Sequence, residues 1–171
     1  QILQGHCVTH EVDVIASKEK SQMFIECKYY LTTDKNANVQ VPLYIRSRVD
    51  DIIKKRSSIP EFAGYTFSGG VVTNTRFTSD AMAYGECSGL KLLSWDYPVG
   101  NGLKDIIDRE KIFPITVLTK LSNQDKQRLM GQGIVTCLQI LETPGTLDSL
   151  GIEMINREKI LAEIKNLCVA E

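Results

Sequence analysis

The sequence predicts a mixed α/β domain followed by a small all-α domain. Three observations carry this. Short runs rich in β-branched and alternating apolar residues fill the first part of the chain. A strand–helix–strand unit from Tyr65 to Trp95 has the pattern of a βαβ crossover, which implies a parallel strand pair. From Leu103 onward apolar residues recur at helical spacing and no convincing strand remains. The expected division is an α/β domain over 1–100, a linker over 101–113 and a helical domain over 114–171.

Each element has a local reason. Ile2 to Ala16 reads as one or two strands, and in the run Val12–Ala16 alternation puts Glu11, Asp13 and Ile15 on one face with Val12, Val14 and Ala16 on the packed face. A polar turn, Ser17 to Gln22, leads to the strand Met23–Tyr30, making a β-hairpin. Leu31–Asn38 carries the turn chemistry of Asp34-Lys35-Asn36. Pro42 opens a helix with Leu43, Ile45, Val49, Ile52 and Ile53 near helical spacing, and Ser57–Pro60 ends it. Tyr65–Thr75 is a strand with glycine entry. Thr78-Ser79-Asp80 caps the helix Ala81–Ser88, which Gly89 closes, and Leu90–Trp95 is the next strand. In the tail, Leu103–Asp108 is a short helix. Ser122 caps a helix through Met130, Gly131-Gln132-Gly133 stops it, Thr136 begins another to Leu141, and a last helix runs from Asn156 to Cys168.

Composition narrows the class. With 171 residues, 43% hydrophobic and 24% charged, the chain has the make-up of a globular protein that builds its core without staples. The net charge of −1 neither selects nor excludes a nucleic-acid partner, so charge is read by region. No run approaches the ~18 apolar residues of a membrane helix, and no membrane partner is expected. The five cysteines form no CxxC or Cys/His cluster and read as buried free thiols in a reducing, cytoplasmic compartment. Because the chain starts at Gln1 rather than Met, it is expected to be cut from a longer protein, and fusion to a preceding domain is left open.

The chemistry concentrates on the hairpin. Strand alternation puts Glu26 and Lys28 on one face, and Asp13 on the preceding run can join them. Two carboxylates and a lysine suit phosphodiester hydrolysis, which needs a metal to polarise the phosphate, a deprotonated water and neutralisation of transition-state charge. Mg²⁺ (or Mn²⁺) prefers such oxygen ligands, and the cation relieves the repulsion between two nearby carboxylates. Asp13 and Glu26 would hold the metal, with the Cys27 carbonyl as a further ligand and Lys28 orienting the attacking water. Spacing alone also allows a plain surface Glu–Lys pair worth well under ~1 kcal/mol. Basic residues placed to contact DNA are Arg46, Arg48, Lys54, Lys55, Arg56 and Arg76. A solvated helix face is the favoured reading for the 54–56 run, and Arg76, following the Thr73-Asn74 strand end, is expected to approach the site.

The passage from about residue 5 to 98 resembles the PD-(D/E)xK nuclease superfamily, most closely its Mrr-like restriction-endonuclease branch. Asp13, Glu26 and Lys28 match the three motif positions. Val72-Thr73-Asn74-Thr75-Arg76-Phe77-Thr78, Ala81 and Ser88-Gly89-Leu90-Lys91-Leu92-Leu93 look like that branch's late strand–helix–strand. The resemblance implies a restriction-endonuclease-like mixed sheet flanked by helices and a metal-dependent DNA endonuclease. Three departures accompany it. Glu11 stands where the family usually has glycine, and is either an additional metal ligand or a solvated acid. The family's opening helix, which often bears a glutamate, would precede Gln1. His10 faces away from Asp13 if the strand is regular and serves as a base only if it is bulged; a core or turn role is the expectation.

The tail from Leu118 to Leu141 resembles a helix–hairpin–helix module, whose glycine-bearing turn offers backbone N–H groups to a DNA phosphate. Gly131, Gly133 and Thr136 occupy that turn, with Lys126 and Arg128 nearby. A helical packing or homo-oligomerisation domain is the other reading. The function expected is thus a Mg²⁺-dependent DNA endonuclease. The alternative is an inactive nuclease-fold module that binds nucleic acid or regulates a fused domain.

Overall fold

Two antiparallel β-ribbons open the chain. A computed structural model describes residues 1–32 and 35–168, so the expected turn at Asp34 lies in part outside the described residues. The first ribbon pairs β1 (Ile2–Gln4) with β2 (Thr9–Glu11), Leu3 opposite His10. The second pairs β3 (Val14–Lys18) with β4 (Ser21–Lys28), Val14 opposite Ile25 and Lys18 opposite Ser21. Its turn is therefore only Glu19-Lys20, with Glu19 in the left-handed region at φ 53°. The continuous run expected over Val12–Ala16 is broken at Val12-Asp13, and the facing resets there. Val12 is buried and Ile15 packs on the core, whereas Val14 is 44% exposed. The break has a visible cause: Asp13 Oδ2 accepts the Cys27 main-chain N–H at 2.7 Å, so a side chain takes a position that a strand carbonyl would fill.

β4 then pairs in parallel with β5 (Thr66–Thr73), and β5 in parallel with β6 (Lys91–Leu93). The result is a mixed four-stranded sheet in the order β3-β4-β5-β6, flanked by helices. Helix α1 (Gln40–Arg56) starts two residues before Pro42, which sits in the first turn where its missing N–H costs no bond. Ile45, Val49 and Ile52 make a single stripe at i, i+4 and i+7, nearly fully buried, in one core with Phe24 of β4 and Val71 of β5. Burying each such side chain contributes roughly 1.5–3 kcal/mol. Gly69 permits this approach, because a Cβ there would lie 2.7 Å from Val49 Cγ2 and 2.9 Å from Leu90 Cδ1. Helix α2 (Ser79–Ser88) is capped by the Thr78 hydroxyl, which accepts the Ala81 N–H, and ends at Gly89 with φ 70°.

The chain divides into two compact units, Gln1–Lys104 and Asp105–Glu171. Helix α3 (Leu103–Glu110) occupies most of the stretch expected as a linker. The second unit holds α4 (Asn123–Gly131), α5 (Cys137–Glu142), α6 (Met154–Cys168) and two 3-10 turns, Ile115–Val117 and Pro144–Leu150. Ser122 caps α4, and Thr136 with Gln139 forms a capping box on α5. Leu118, Leu129, Ile140, Ile160 and Ile164 centre its core. The Glu163 carboxylate holds the chain entering α4 by accepting the Thr119 N–H and hydroxyl and the Lys120 N–H.

The cysteines depart from expectation. Cys137 and Cys168 are buried, but Cys7, Cys27 and Cys87 are exposed, because they fall on a ribbon turn, on the uncovered face of a strand and on the outer side of a helix. Burial, with Cys168 alongside, pushes the Cys137 thiol up to about 12. No helix among the described residues is long and apolar enough to cross a membrane.

Candidate active site

The hairpin brings the expected acids to one place. Thr9, His10, Glu11, Asp13, Glu26, Tyr44 and Arg48 wall a cavity of about 330 Å³ beside β2, β4 and α1. Phe24, Glu26 and Lys28 alternate onto the face of β4 that meets α1. There Lys28 Nζ lies 2.8 Å from Glu26 Oε1, with the lysine side chain 34% exposed. Asp13 reaches the same strand through Cys27. Burial, followed by the nearby Asp13 and Glu26 charges, raises the Cys27 thiol above its ordinary value. The contact that Cys27 makes here is through its N–H, given to Asp13.

Arg48 belongs to this centre rather than to an exposed phosphate-binding face. Its Nη1 is 3.0 Å from Glu26 Oε2, and both side chains are only 13% exposed. Its Nη2 donates to the Glu11 main-chain carbonyl, and its guanidinium lies 5.3 Å over the Tyr44 ring. Glu26 therefore carries a cation on each oxygen. If Arg48 let go, Lys28 would remain on Oε1 as the partner of the Glu26 charge. Arg46 is likewise engaged: it pairs with Asp50 and donates to the Ser88 carbonyl at 2.8 Å, joining α1 to the end of α2. Of Arg46, Arg48 and Arg76, only Arg76 keeps a mostly exposed side chain, 71%, while pairing with Asp96 at 2.8 Å.

His10 faces the cavity that Asp13 also lines, because the break at Val12-Asp13 removes the regular alternation that would have separated them. Its Nε2–H donates to Asp51 Oδ2 at 2.8 Å. Asp51 also accepts the Cys7 N–H at 2.8 Å and the Val8 N–H at 3.3 Å, so it ties the β1–β2 turn to α1. Gly5 makes room, since a Cβ there would collide with the Asp51 carboxylate. These bonds, the His10 one foremost, hold the Asp51 carboxyl well below the usual carboxylate range.

Tyr44, Arg48 and Asp51 are the residues that sequence reasoning did not assign to this place. Their signal was present: they stand at i, i+4 and i+7, a polar stripe beside the apolar stripe of α1. Thr73 and Asn74, singled out by the resemblance, brace the site from β5. Thr73 Oγ1 donates to the Lys28 carbonyl at 2.7 Å. Asn74 extends the strand pairing with its amide, accepting the Tyr30 N–H and donating to the Tyr30 carbonyl, both at 2.8 Å.

Among the described residues no three His, Cys, Asp or Glu side chains are grouped to hold a metal ion. The donors still suit a hard cation that keeps most of its waters, since Mg²⁺ needs one or two carboxylates from the protein. Glu26 Oε2 and the Glu11 carbonyl already converge on one cationic group, the Arg48 guanidinium, and Asp13 lines the same cavity.

In the second unit the Gly131–Thr136 turn uses its N–H groups internally. Those of Gln132, Gly133 and Ile134 donate to carbonyls of α4, and those of Val135 and Thr136 to Gln139 Oε1 at 2.8 and 2.9 Å. The expected phosphate cradle is thus occupied by the protein's own caps. The turn itself is open, since a Cβ on Gly131 or Gly133 would meet nothing within 4 Å. Lys126 donates to the Thr116 carbonyl and Arg128 lies 3.7 Å from Asp125.

Comparison with known proteins gives relatives but no activity. A family model described as AF1548-like, C-terminal matches residues 113–168, within the second unit. A protein of Archaeoglobus fulgidus described as uncharacterized is 27% identical over 167 residues, covering 97% of this chain and 90% of the relative. A solved structure, the crystal structure of protein of unknown function AF1548, superposes with a TM-score of 0.76 at 27% identity, over 98% of this chain and 86% of that one.

Proposed function

We propose that the chain is a divalent-metal-dependent DNA endonuclease with a restriction-endonuclease-like, Mrr-like first unit. One observation carries the reading: Asp13 and Glu26 wall the same cavity while Lys28 stands on Glu26 along the same strand face. The sheet supports it, with an antiparallel hairpin bearing the acids continued by two parallel strands, as the resembled family implies.

Asp13 and Glu26 would hold Mg²⁺ or Mn²⁺, with Glu11 and the Cys27 carbonyl as further oxygen donors. When bound, such an ion polarises a phosphoryl oxygen and makes water more acidic. Lys28 Nζ orients the attacking water and offsets the negative charge that builds on the five-coordinate phosphorus. The water oxygen bonds to phosphorus, one phosphorus–oxygen ester bond breaks, and a proton ends on the departing alcohol. Arg76 contacts the DNA backbone.

The test is supercoiled plasmid incubated with the protein and Mg²⁺ or Mn²⁺, with EDTA controls and the variants Asp13→Ala and Lys28→Ala. Metal-dependent nicking that falls by about 10²-fold or more in both variants supports the reading. Cleavage that survives both substitutions, or no cleavage under any metal, removes it. A second reading, a DNA-binding module that does not cut, is favoured by the grip of Arg48 on Glu26. It predicts retarded DNA without nicking in the same mixtures.

A further inference from the structure

Glu26 is saturated by side chains of this chain, and the Arg48 contact is unlike the Lys28 one. Lys28 meets Oε1 from the same strand and is 34% exposed. Arg48 comes from α1, is 13% exposed, and spans Glu26 Oε2 and the Glu11 main-chain oxygen with two of its nitrogens. It thereby occupies two hard oxygens, one of them on Glu26, that a divalent cation in this cavity would compete for. The guanidinium at the same time lies over the Tyr44 ring, one turn back on the same helix, 5.3 Å from its centroid. Tyr44 is 59% exposed and lines the cavity, so the guanidinium can keep this contact on leaving Glu26 without disturbing the core.

The geometry points to Arg48 as a resident counter-cation: it holds Glu26 until a divalent ion displaces it from that carboxylate, and so sets the metal affinity of the centre. This rests on the reading of the cavity as a metal site. Asp13 and Glu26 both line this cavity, and like charges brought into one cavity repel unless a cation offsets them. Arginine is suited to the part, because it stays charged at every relevant pH and its planar fork bridges two oxygens at once. It leaves by exchange for a stronger cation and not by losing a proton. Apparent metal affinity is then the intrinsic affinity scaled by the fraction of molecules in which Glu26 is free.

The experiment is Mn²⁺ binding to the full chain, read by calorimetry and by the loss of the free-ion paramagnetic resonance signal. Wild type is compared with Arg48→Gln, Arg48→Ala and Arg48→Lys. The neutral variants are expected to bind Mn²⁺ about tenfold tighter or more than wild type. Arg48→Lys keeps the charge but makes a single-point contact, so it should bind a few-fold tighter, about threefold. It serves if the neutral variants do not fold. Equal or weaker Mn²⁺ binding in the folded variants overturns the assignment, as does the absence of Mn²⁺ uptake by every one of them. Tighter binding in Arg48→Gln without plasmid nicking by wild type leaves the role of Arg48 standing and removes the nuclease reading. Nicking by wild type with unchanged Mn²⁺ affinity in Arg48→Gln does the reverse.

Discussion

Asp13 Oδ2 accepts the main-chain N–H of Cys27 at 2.7 Å, across the hairpin from the strand that carries Glu26 and Lys28. One carboxylate thus has two tasks. It pins the start of β3 to the end of β4, and it places a negative charge on the cavity wall.

The two tasks separate by substitution. Asp13→Asn keeps an oxygen for the Cys27 N–H and discards the charge, whereas Asp13→Ala discards both. Urea unfolding should leave the Asn variant within about 0.5 kcal/mol of wild type and cost the Ala variant about 1 kcal/mol. Plasmid nicking should be lost in both. Equal stability in the two variants would show that the hydrogen bond contributes nothing to the hairpin.

Asp51 makes the first ribbon sensitive to acid. Its carboxyl is held below the ordinary range by the His10 ring N–H first, then by the Cys7 and Val8 N–H groups, against the opposing effect of burial. A folded value depressed below the unfolded one, about 3.9, means that the stabilisation is complete above that pH. It is lost as pH falls through the unfolded value toward the folded one. Wild type should therefore lose urea resistance between about pH 5 and pH 2 more steeply than Asp51→Asn, measured side by side. Parallel pH profiles would remove Asp51 from the account.

Two glycine-to-alanine changes should go in opposite directions. At Gly69 the new methyl meets Val49 Cγ2 at 2.7 Å and Leu90 Cδ1 at 2.9 Å, so the Val49 or Leu90 side chain must shift, and a loss of about 1–3 kcal/mol is expected. At Gly131, the last residue of α4, the methyl meets nothing within 4 Å, and better helix propensity should add roughly 0.5 kcal/mol. Thermal melts of both variants check this, and a neutral Gly69→Ala would mean that the α1–sheet contact is looser than its distances say.

Much of the fold was legible because single side chains announce it. Thr78 and Ser122 cap the helices they precede, Gly89 closes α2, and the Tyr65–Trp95 crossover gives a parallel pair. Asp13, Glu26 and Lys28 were legible as neighbours because hairpin pairing and strand alternation suffice to collect them. The break at Val12-Asp13 was not, since the runs on either side alternate acceptably whether or not they are joined. The Glu19-Lys20 turn carries no glycine or asparagine to mark it. Arg46 and Arg48 were read by charge alone, and charge does not say that Asp50, the Ser88 carbonyl and Glu26 are waiting for them. The stripe of Tyr44, Arg48 and Asp51 was visible as spacing, but only the apolar stripe beside it was read as a face.

The bracing of Lys28 and Tyr30 by Thr73 and Asn74 spans 45 and 44 residues of chain. On a ribosome, the hairpin with its acids emerges well before the residues that align its far end. The parallel partner strand arrives only after α1 has been made. Contacts so distant in sequence carry a large loop-closure cost and form late. A nascent chain halted before Thr73 would expose the acidic hairpin without a registered lysine. The centre thus comes into being only when the protein has committed to its whole sheet.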